Sequence, residues 1–558
     1  MNDFLYYLLR LYRTVKYLKF QQIVFRFIKL FPKFYKFDVS NIKTAKREKK
    51  WTNSIPYKFC SISKNKIIFI NKYVPFQKSI WHFKSENKLW NYNLNYFNFL
   101  NLKSNLNKSF YSELIDDWIL VNTNIKSLPW DPYPTSIRIT NWIKWNLNGN
   151  KFTQVQHQSL FKQSIYLSKN LEKHLLGNHL LVNAKAIFFA GIYFNTKESD
   201  FWLKQSILIL KKELNEQILN DGGHYERSPM YNALILEDLL DIYNIINVFG
   251  KKVLNFDKTI KSFIKIKIKK MLLWQNFMCH PDGKVSFFND SCFNVSSDIS
   301  ELLNYAKKLK VSIKIKKNLN SVYFKDSGYI SSRGRYLNLI ADVANLGPDY
   351  LPAHGHADTL SFEVSIKKQR FIVNSGISTY EKNTQRIYER STKAHSTLML
   401  DNEDSSEIWS SFRVGRRAKI SNTYFNKKNK LNKFSATHDG YVYKKGSPIV
   451  KRTWNLEEKK ITILDTVTGL EKSKIKIYFY FHPFFKPYKI NNHEVLIKSL
   501  NKKNIFLLNF SNNVEVQINK TFWFPEFEKK IKNYSIELNA YLKPPIKVKS
   551  IFQLIHNI

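Results

Sequence analysis

The sequence predicts an α+β multidomain protein, with a helical domain followed by an antiparallel β domain. Three observations carry that prediction. Apolar residues recur three or four apart from about residue 110, their period changes to two after about Asn320, and 558 residues are more than one hydrophobic core usually organises. Two large domains follow, 1–320 and 321–558, with residues 1–89 as a basic and aromatic extension of the first. No low-complexity linker separates them, so a large fixed interface is expected rather than a flexible tether.

Taken in order, residues 1–35 mix aromatic side chains with Arg10, Arg13, Lys16, Lys19, Arg26 and Lys29. No apolar run here is long enough to span a bilayer, and no compact apolar stretch precedes a small-residue cleavage site. Neither a transmembrane helix nor an ordinary signal peptide is expected. Two readings stay open for the segment: a helix lying on an anionic membrane surface, or one packed on the first domain with its lysines in water. Within 201–219, Leu203, Ile207, Leu210, Leu214 and Ile218 form one face of an amphipathic helix. Segments 135–147, 158–175, 231–248 and 256–274 read the same way, as successive antiparallel helices. Segments 336–343, 360–366, 461–467, 474–481 and 514–518 alternate or form short apolar runs between turn residues, which is strand patterning.

Lys and Arg number 89 against 44 Asp and Glu, a formal net charge of +45 that would draw any polyanion: nucleic acid, acidic lipid or acidic polysaccharide. Lys, Asn, Ile, Phe and Tyr are abundant along the whole chain, so the charge reads as diffuse. Specific nucleic-acid binding ranks last, because no helix-turn-helix, zinc-finger or single-strand recognition signature accompanies the charge. Three cysteines, Cys60, Cys279 and Cys292, cannot build a disulfide framework.

The densest chemistry lies in His354-Gly355-His356-Ala357-Asp358, at the entrance of a strand expected to be half-buried. Two imidazoles two apart in an extended chain project to the same side. They can move protons, hold a metal or neutralise an acidic substrate. Gly177-Asn178-His179 falls between two helical segments, where a loop would leave amide and imidazole free to reach a ligand. In the stretch 221–231, Ser228 suits an N-cap and Pro229 a first helical position, which puts Tyr231 in the first turn. Cys279-His280 with Cys292 could form a metal cluster, although buried thiols fit the context better. Singly, each such residue is accounted for as a cap or core group; their co-occurrence points to a site.

Seven strings occur in order: Trp130-Asp131-Pro132-Tyr133-Pro134-Thr135-Ser136-Ile137-Arg138, Asn178-His179-Leu180-Leu181-Val182-Asn183-Ala184-Lys185, the 221–231 stretch, His280-Pro281-Asp282-Gly283, Gly347-Pro348-Asp349-Tyr350, the 354–362 stretch, and Arg390-Ser391-Thr392-Lys393-Ala394-His395-Ser396-Thr397. From about Trp90 to about Arg417 the chain thereby resembles the heparinase II/III family of polysaccharide lyases. The resemblance implies an α/α toroid followed by a β-sandwich, with a cleft where they meet, and β-elimination on a uronic acid, as in heparan sulfate or alginate degradation. Abstracting the C5 proton creates an enolate-like dianion unless the adjacent carboxylate is neutralised, so positioned donors should dominate transition-state stabilisation.

On that resemblance Asn178, helped by His179, binds the uronate carboxyl. Tyr231, which fits the motif better than Tyr225, is the general acid towards the C4 oxygen, and a basic role would need cations to lower its pKa. His354 is the proton acceptor. Arg227, Tyr225, His224 and Arg138 are candidates for substrate binding, while Glu226 suits either an arginine partner or chemistry. Some relatives hold a structural zinc at positions that look like His356, Asn374 and His395 here. A neutral amide replaces the expected carboxylate, so no cofactor is expected to be required, and a structural zinc is the lesser possibility. The expected partner is an acidic polysaccharide collected by a basic cleft. A non-lytic protein acting on surface polysaccharide during its assembly is the alternative. The family implies the cell envelope or periplasm, and the lack of a clear export signal keeps the cytoplasm open.

Overall fold

The computed structural model describes residues 3–63, 65–102, 108–315, 320–428, 431–469 and 471–557. Its helices are α1 (Asp3–Val15), α2 (Phe20–Ile28), α3 (Lys88–Tyr96), α4 (Lys108–Val121), α5 (Pro132–Leu147), α6 (Gln154–Lys169), α7 (Gly177–Tyr193), α8 (Lys197–Gln217), α9 (Pro229–Val248), α10 (Gly250–Phe256), α11 (Ile260–Met278), α12 (Ile299–Lys308) and α13 (Thr384–Arg390). Helices α3 to α12 build the toroid around one core that runs from Trp90 and Trp142 through Phe188 and Leu214 to Leu272. Caps set where they begin. Thr153 accepts from the Gln156 N–H at 3.2 Å and starts α6 four residues ahead of its apolar pattern. Ser228 Oγ accepts from the Tyr231 N–H at 3.1 Å and Pro229 opens α9, as the sequence predicts.

One expectation fails here. Gly177-Asn178-His179 is not a loop but the first turn of α7. Leu176 and Gly177 both have positive φ, 66° and 58°, and turn the chain so sharply that the helix starts at once. A Cβ on Gly177 would come within 2.4 Å of Leu351, so this approach needs glycine. The helical periodicity also gave no sign of a small antiparallel sheet in the extension, Cys60–Ile62, Lys66–Phe69 and Lys72–Pro75.

From Ser321 onward two antiparallel sheets, of nine and eight strands, form a sandwich. Phe362, Val364, Phe371, Trp454, Phe479, Phe506 and Phe552 fill the space between them. The strand Phe362–Ile366 is buried on both faces, not half-buried. Its outer neighbours explain this: Trp274, Phe277 and Met278 of α11 pack on Phe324, Tyr329 and Ile340 of the same sheet. Buried polar links tie the domains as well. His280 Nε2 lies 2.8 Å from Glu363 Oε2, and Asp221 accepts from the Ser327 N–H at 2.7 Å.

The N-terminal helices lie against both domains. In α1, Tyr6 and Arg10 reach Glu407 of the β domain at 3.0 and 3.2 Å, and Thr14 reaches the Val414 carbonyl. Around α2, Lys19 pairs with Glu216 of α8, and Lys29 Nζ lies 3.4 Å from His174 Nε2. The segment therefore bridges the two domains rather than packing on the first alone. Among the described residues no helix is long and apolar enough to cross a membrane.

Candidate active site

A cleft of about 1140 Å³ opens where toroid and sandwich meet. Asn178, His179, Tyr231 and His354 all line it. Helix α7 starts at its wall without a side-chain cap and delivers Asn178 and His179; α9 delivers Tyr231, and the turn before Phe362–Ile366 delivers His354. Asn178 Nδ2 stands 3.4 Å from both His354 Nε2 and Glu226 Oε2. The Tyr231 and His354 rings lie 4.0 Å apart between centroids, and Tyr231 Oη meets Tyr380 Oη at 3.1 Å.

The surroundings set the protonation states. Burial, then the nearby Tyr380, Tyr133 and Asp290, push the Tyr231 phenol well above its ordinary value. It stays neutral and able to donate. None of these main influences is a cation, and the phenol is raised rather than lowered, so the condition for a basic Tyr231 is not met. Burial works against a charged His179, but the Glu172 carboxylate 3.1 Å away outweighs it and raises the imidazole. Tyr133 packs on the same ring.

Motif reading missed Asp290, which organises the site. It is fully buried and accepts from Arg386 Nη2 at 2.7 Å, from His354 Nδ1 at 2.8 Å and from His356 Nε2 at 2.8 Å. Burial alone would raise this carboxyl, yet Arg386 and the two imidazoles hold it well below the usual range. The Asp290 carboxylate accepts a hydrogen bond from His354 Nδ1–H, which leaves Nε2 facing the cleft. Tyr380 was likewise unassigned, and Glu226 was left open between an arginine partner and chemistry. Glu226 is buried on the cleft wall, pairs with no arginine, and its Oε1 has no hydrogen-bond partner.

The proposed substrate-binding set does not gather here. Arg138 is fully buried, stacked on Trp118 and bonded to Gln163, Thr135 and the Asn95 and Pro129 carbonyls, so it holds α5 in the toroid. His224 is buried against Gln217, and Arg227 turns away to the Asn345 carbonyl. Tyr225 is buried beside Tyr350. None of the four lines the cleft. Nor is the cleft basic. Seven Lys and Arg on its walls are matched by seven Asp and Glu, including the buried Lys144–Asp241 and Lys185–Asp238 pairs at 2.9 and 2.6 Å.

The residues do not fit a complete zinc site. His356 Nδ1 and His395 Nε2 face each other at 3.1 Å, each with its other nitrogen directed to an oxygen, Asp290 and the Ser391 carbonyl. That is how imidazoles are oriented behind a metal; a proton held between the facing nitrogens would make one ring cationic, which burial opposes. The third group is spent: Asn374 donates to the Phe287 carbonyl at 2.9 Å and accepts from the Ser396 N–H at 3.0 Å. Among the described residues no three His, Cys, Asp or Glu side chains cluster as metal ligands, and Cys279 and Cys292 are buried thiols.

Fold and cleft define a two-domain protein, an α/α toroid joined to a β-sandwich with a polar cleft at the junction. The models "Heparinase II/III N-terminus" and "Heparinase II/III-like, C-terminal" match residues 7–314 and 316–547. The chain belongs to the heparinase II/III family. It is 26% identical over 266 residues to a heparin-sulfate lyase of Pedobacter heparinus, covering 44% of this chain and 39% of that one. A heparin-sulfate lyase of Bacteroides stercoris is 25% identical over 246 residues, 41% of this chain and 36% of that one. The matched stretch thus spans less than half the length of each. A crystal structure of heparinase III superposes with a TM-score of 0.67 at 16% identity, over 86% of this chain and 80% of that one. Heparan sulfate lyase HepC from Pedobacter heparinus gives 0.60 at 18% identity, over 87% and 80%. At these identities the likeness is one of fold.

Proposed function

We propose that the protein is a polysaccharide lyase that cleaves a uronic-acid-containing acidic polysaccharide by β-elimination. The observation that carries this reading is the convergence of Asn178, His354 and Tyr231 from three separate elements on one cleft. A uronate carboxylate set against Asn178 meets an amide donor at the uncapped start of α7, where helix N–H groups favour negative charge. The bond to Asn178 strengthens as the C5 proton leaves and charge moves onto the carboxylate. His354 Nε2 receives that proton, and the imidazolium that forms is stabilised through Nδ1 by Asp290. Neutral Tyr231 delivers its proton to the departing C4 oxygen, and the bond from C4 to that oxygen breaks as the C4–C5 double bond forms.

The even balance of charge on the walls suits a glycan with spaced carboxylates better than a densely sulfated one. Incubating the purified protein with a panel of acidic polysaccharides, while following the ultraviolet absorbance of the 4,5-unsaturated product, tests the reading. A rise with at least one uronate polymer is expected. Retained binding with no rise across the panel would instead favour a non-lytic protein on the same scaffold.

A further inference from the structure

Helices α1 and α2 are amphipathic in the reverse of the usual sense. A helix at a protein surface normally turns its apolar stripe inward. Here the polar stripe faces the protein. Tyr6, Arg10 and Thr14 of α1 bond to the β domain, and Gln22 of α2 is buried against the Tyr350 carbonyl. Most apolar side chains point to solvent, with Leu9, Leu11, Val24 and Phe25 half-buried. At about 100° per residue, Phe4, Leu5, Leu8, Tyr12 and Val15 fall within an arc of about 100°. Phe4 is 67% exposed and Tyr12 65%. In and after α2 the pattern repeats, with Phe20 80%, Phe27 64% and Phe31 69% exposed.

The same segment is strongly basic. Residues 3–37 hold eight Lys and Arg against the single acid Asp3, and Lys16 and Arg26 are exposed among the apolar residues. Exposed aromatic and aliphatic side chains flanked by cations match the chemistry of an anionic bilayer, acyl region and headgroup together. A second copy of the chain fits poorly, because it would bring the same cations face to face.

We propose that α1, α2 and the chain up to Phe34 form a docking surface that lays the protein on an anionic lipid bilayer without crossing it. Lys29, which follows α2, lines the cleft, as do Ser410 to Arg413 of the loop under α1. Docking therefore holds the cleft beside the lipid surface. This goes beyond the lyase reading and stands or falls separately from it.

Co-flotation of the full chain with lipid vesicles tests the proposal. The protein should float with phosphatidylcholine vesicles containing phosphatidylglycerol, only weakly with phosphatidylcholine alone, and less as salt is raised. Phe20→Ser/Phe27→Ser/Phe31→Ser should lower partitioning at least about tenfold while circular dichroism and melting stay unchanged, since these side chains are in solvent. Lys16→Gln/Arg26→Gln should lower it only on the anionic vesicles. Failure to float with anionic vesicles, or equal flotation of the Phe variant, would overturn the proposal. So would a wild-type dimer by light scattering that the Phe variant converts to monomer, which would assign the face to a second copy.

Discussion

Asp290 accepts from Arg386, His354 and His356 in a place closed to water, so one carboxylate fixes a guanidinium and two imidazoles together. Asp290→Asn keeps the size and removes the charge. His354 then loses the partner that selects its tautomer, and kcat should fall by about a hundredfold or more with KM little changed. Stability should also drop by about 3–5 kcal/mol, because the Arg386 guanidinium stays buried without its counter-ion. Kinetics and urea unfolding on the same variant separate the two effects; a normal kcat in the folded variant would remove Asp290 from the mechanism. At Asn178, substitution by Ala should lower kcat by about a hundredfold, more than it raises KM, since its bond to the carboxylate tightens in the transition state. An effect confined to KM would mean that Asn178 holds only the ground state. Tyr231 and His354 stood out because they sit in strings with local logic, a cap with a proline and a histidine pair, and Asn178 through the family resemblance; all three line the cleft. Asp290 was not legible, since a lone acid in Asn289-Asp290-Ser291 shows its value only when residues 64 and 96 positions away fold onto it.

Elements place these groups. The reading of Gly177-Asn178-His179 as a loop failed because two successive positive-φ residues compress the turn into a single step, which composition does not reveal. Arg138 was drawn into the substrate set by its position in a family-like string, yet five contacts inside the toroid use its whole guanidinium. Position in a motif does not distinguish a residue that builds the cleft wall from one that faces into it. Asn374, just after the strand Gln369–Val373, ties Phe287 to Ser396 at the position where the family resemblance implies a zinc ligand. The purified protein should therefore carry little zinc by elemental analysis and keep its melting temperature after dialysis against a chelator. Asn374→Asp should raise zinc affinity by adding an anionic oxygen beside two imidazoles. Stoichiometric zinc in the unmodified protein, with unfolding on its removal, would show that the site is complete without the carboxylate.

At the scale of the molecule, the division into helices and strands was legible because the apolar period changes from about 3.6 to 2 along the chain. Contacts between the domains were not, and they convert a strand expected to be half-buried into one covered on both faces. Charge misled for a similar reason: a net +45 says nothing about a cleft whose walls are evenly balanced.

Burial has a pH consequence as well. It lowers His224 to about 4 and His438 to about 3, so both rings are neutral in the folded protein at pH values where the unfolded chain binds protons. Their contribution is complete above the ordinary imidazole value of about 6.5 and is lost as pH falls through those lowered values, up to about 3 kcal/mol per ring. Melting temperature should fall steadily from pH 7 to pH 4; a flat profile over that range would contradict it.

The central claim is elimination, and the mass of the released ends tests it most directly. On a uronate polysaccharide that the protein depolymerises, the account predicts oligosaccharides whose new non-reducing end is one water lighter than a hydrolysis product, with Tyr231→Phe folded but inactive. Fully hydrated ends, or the same unsaturated product at the same rate from Tyr231→Phe, would contradict it.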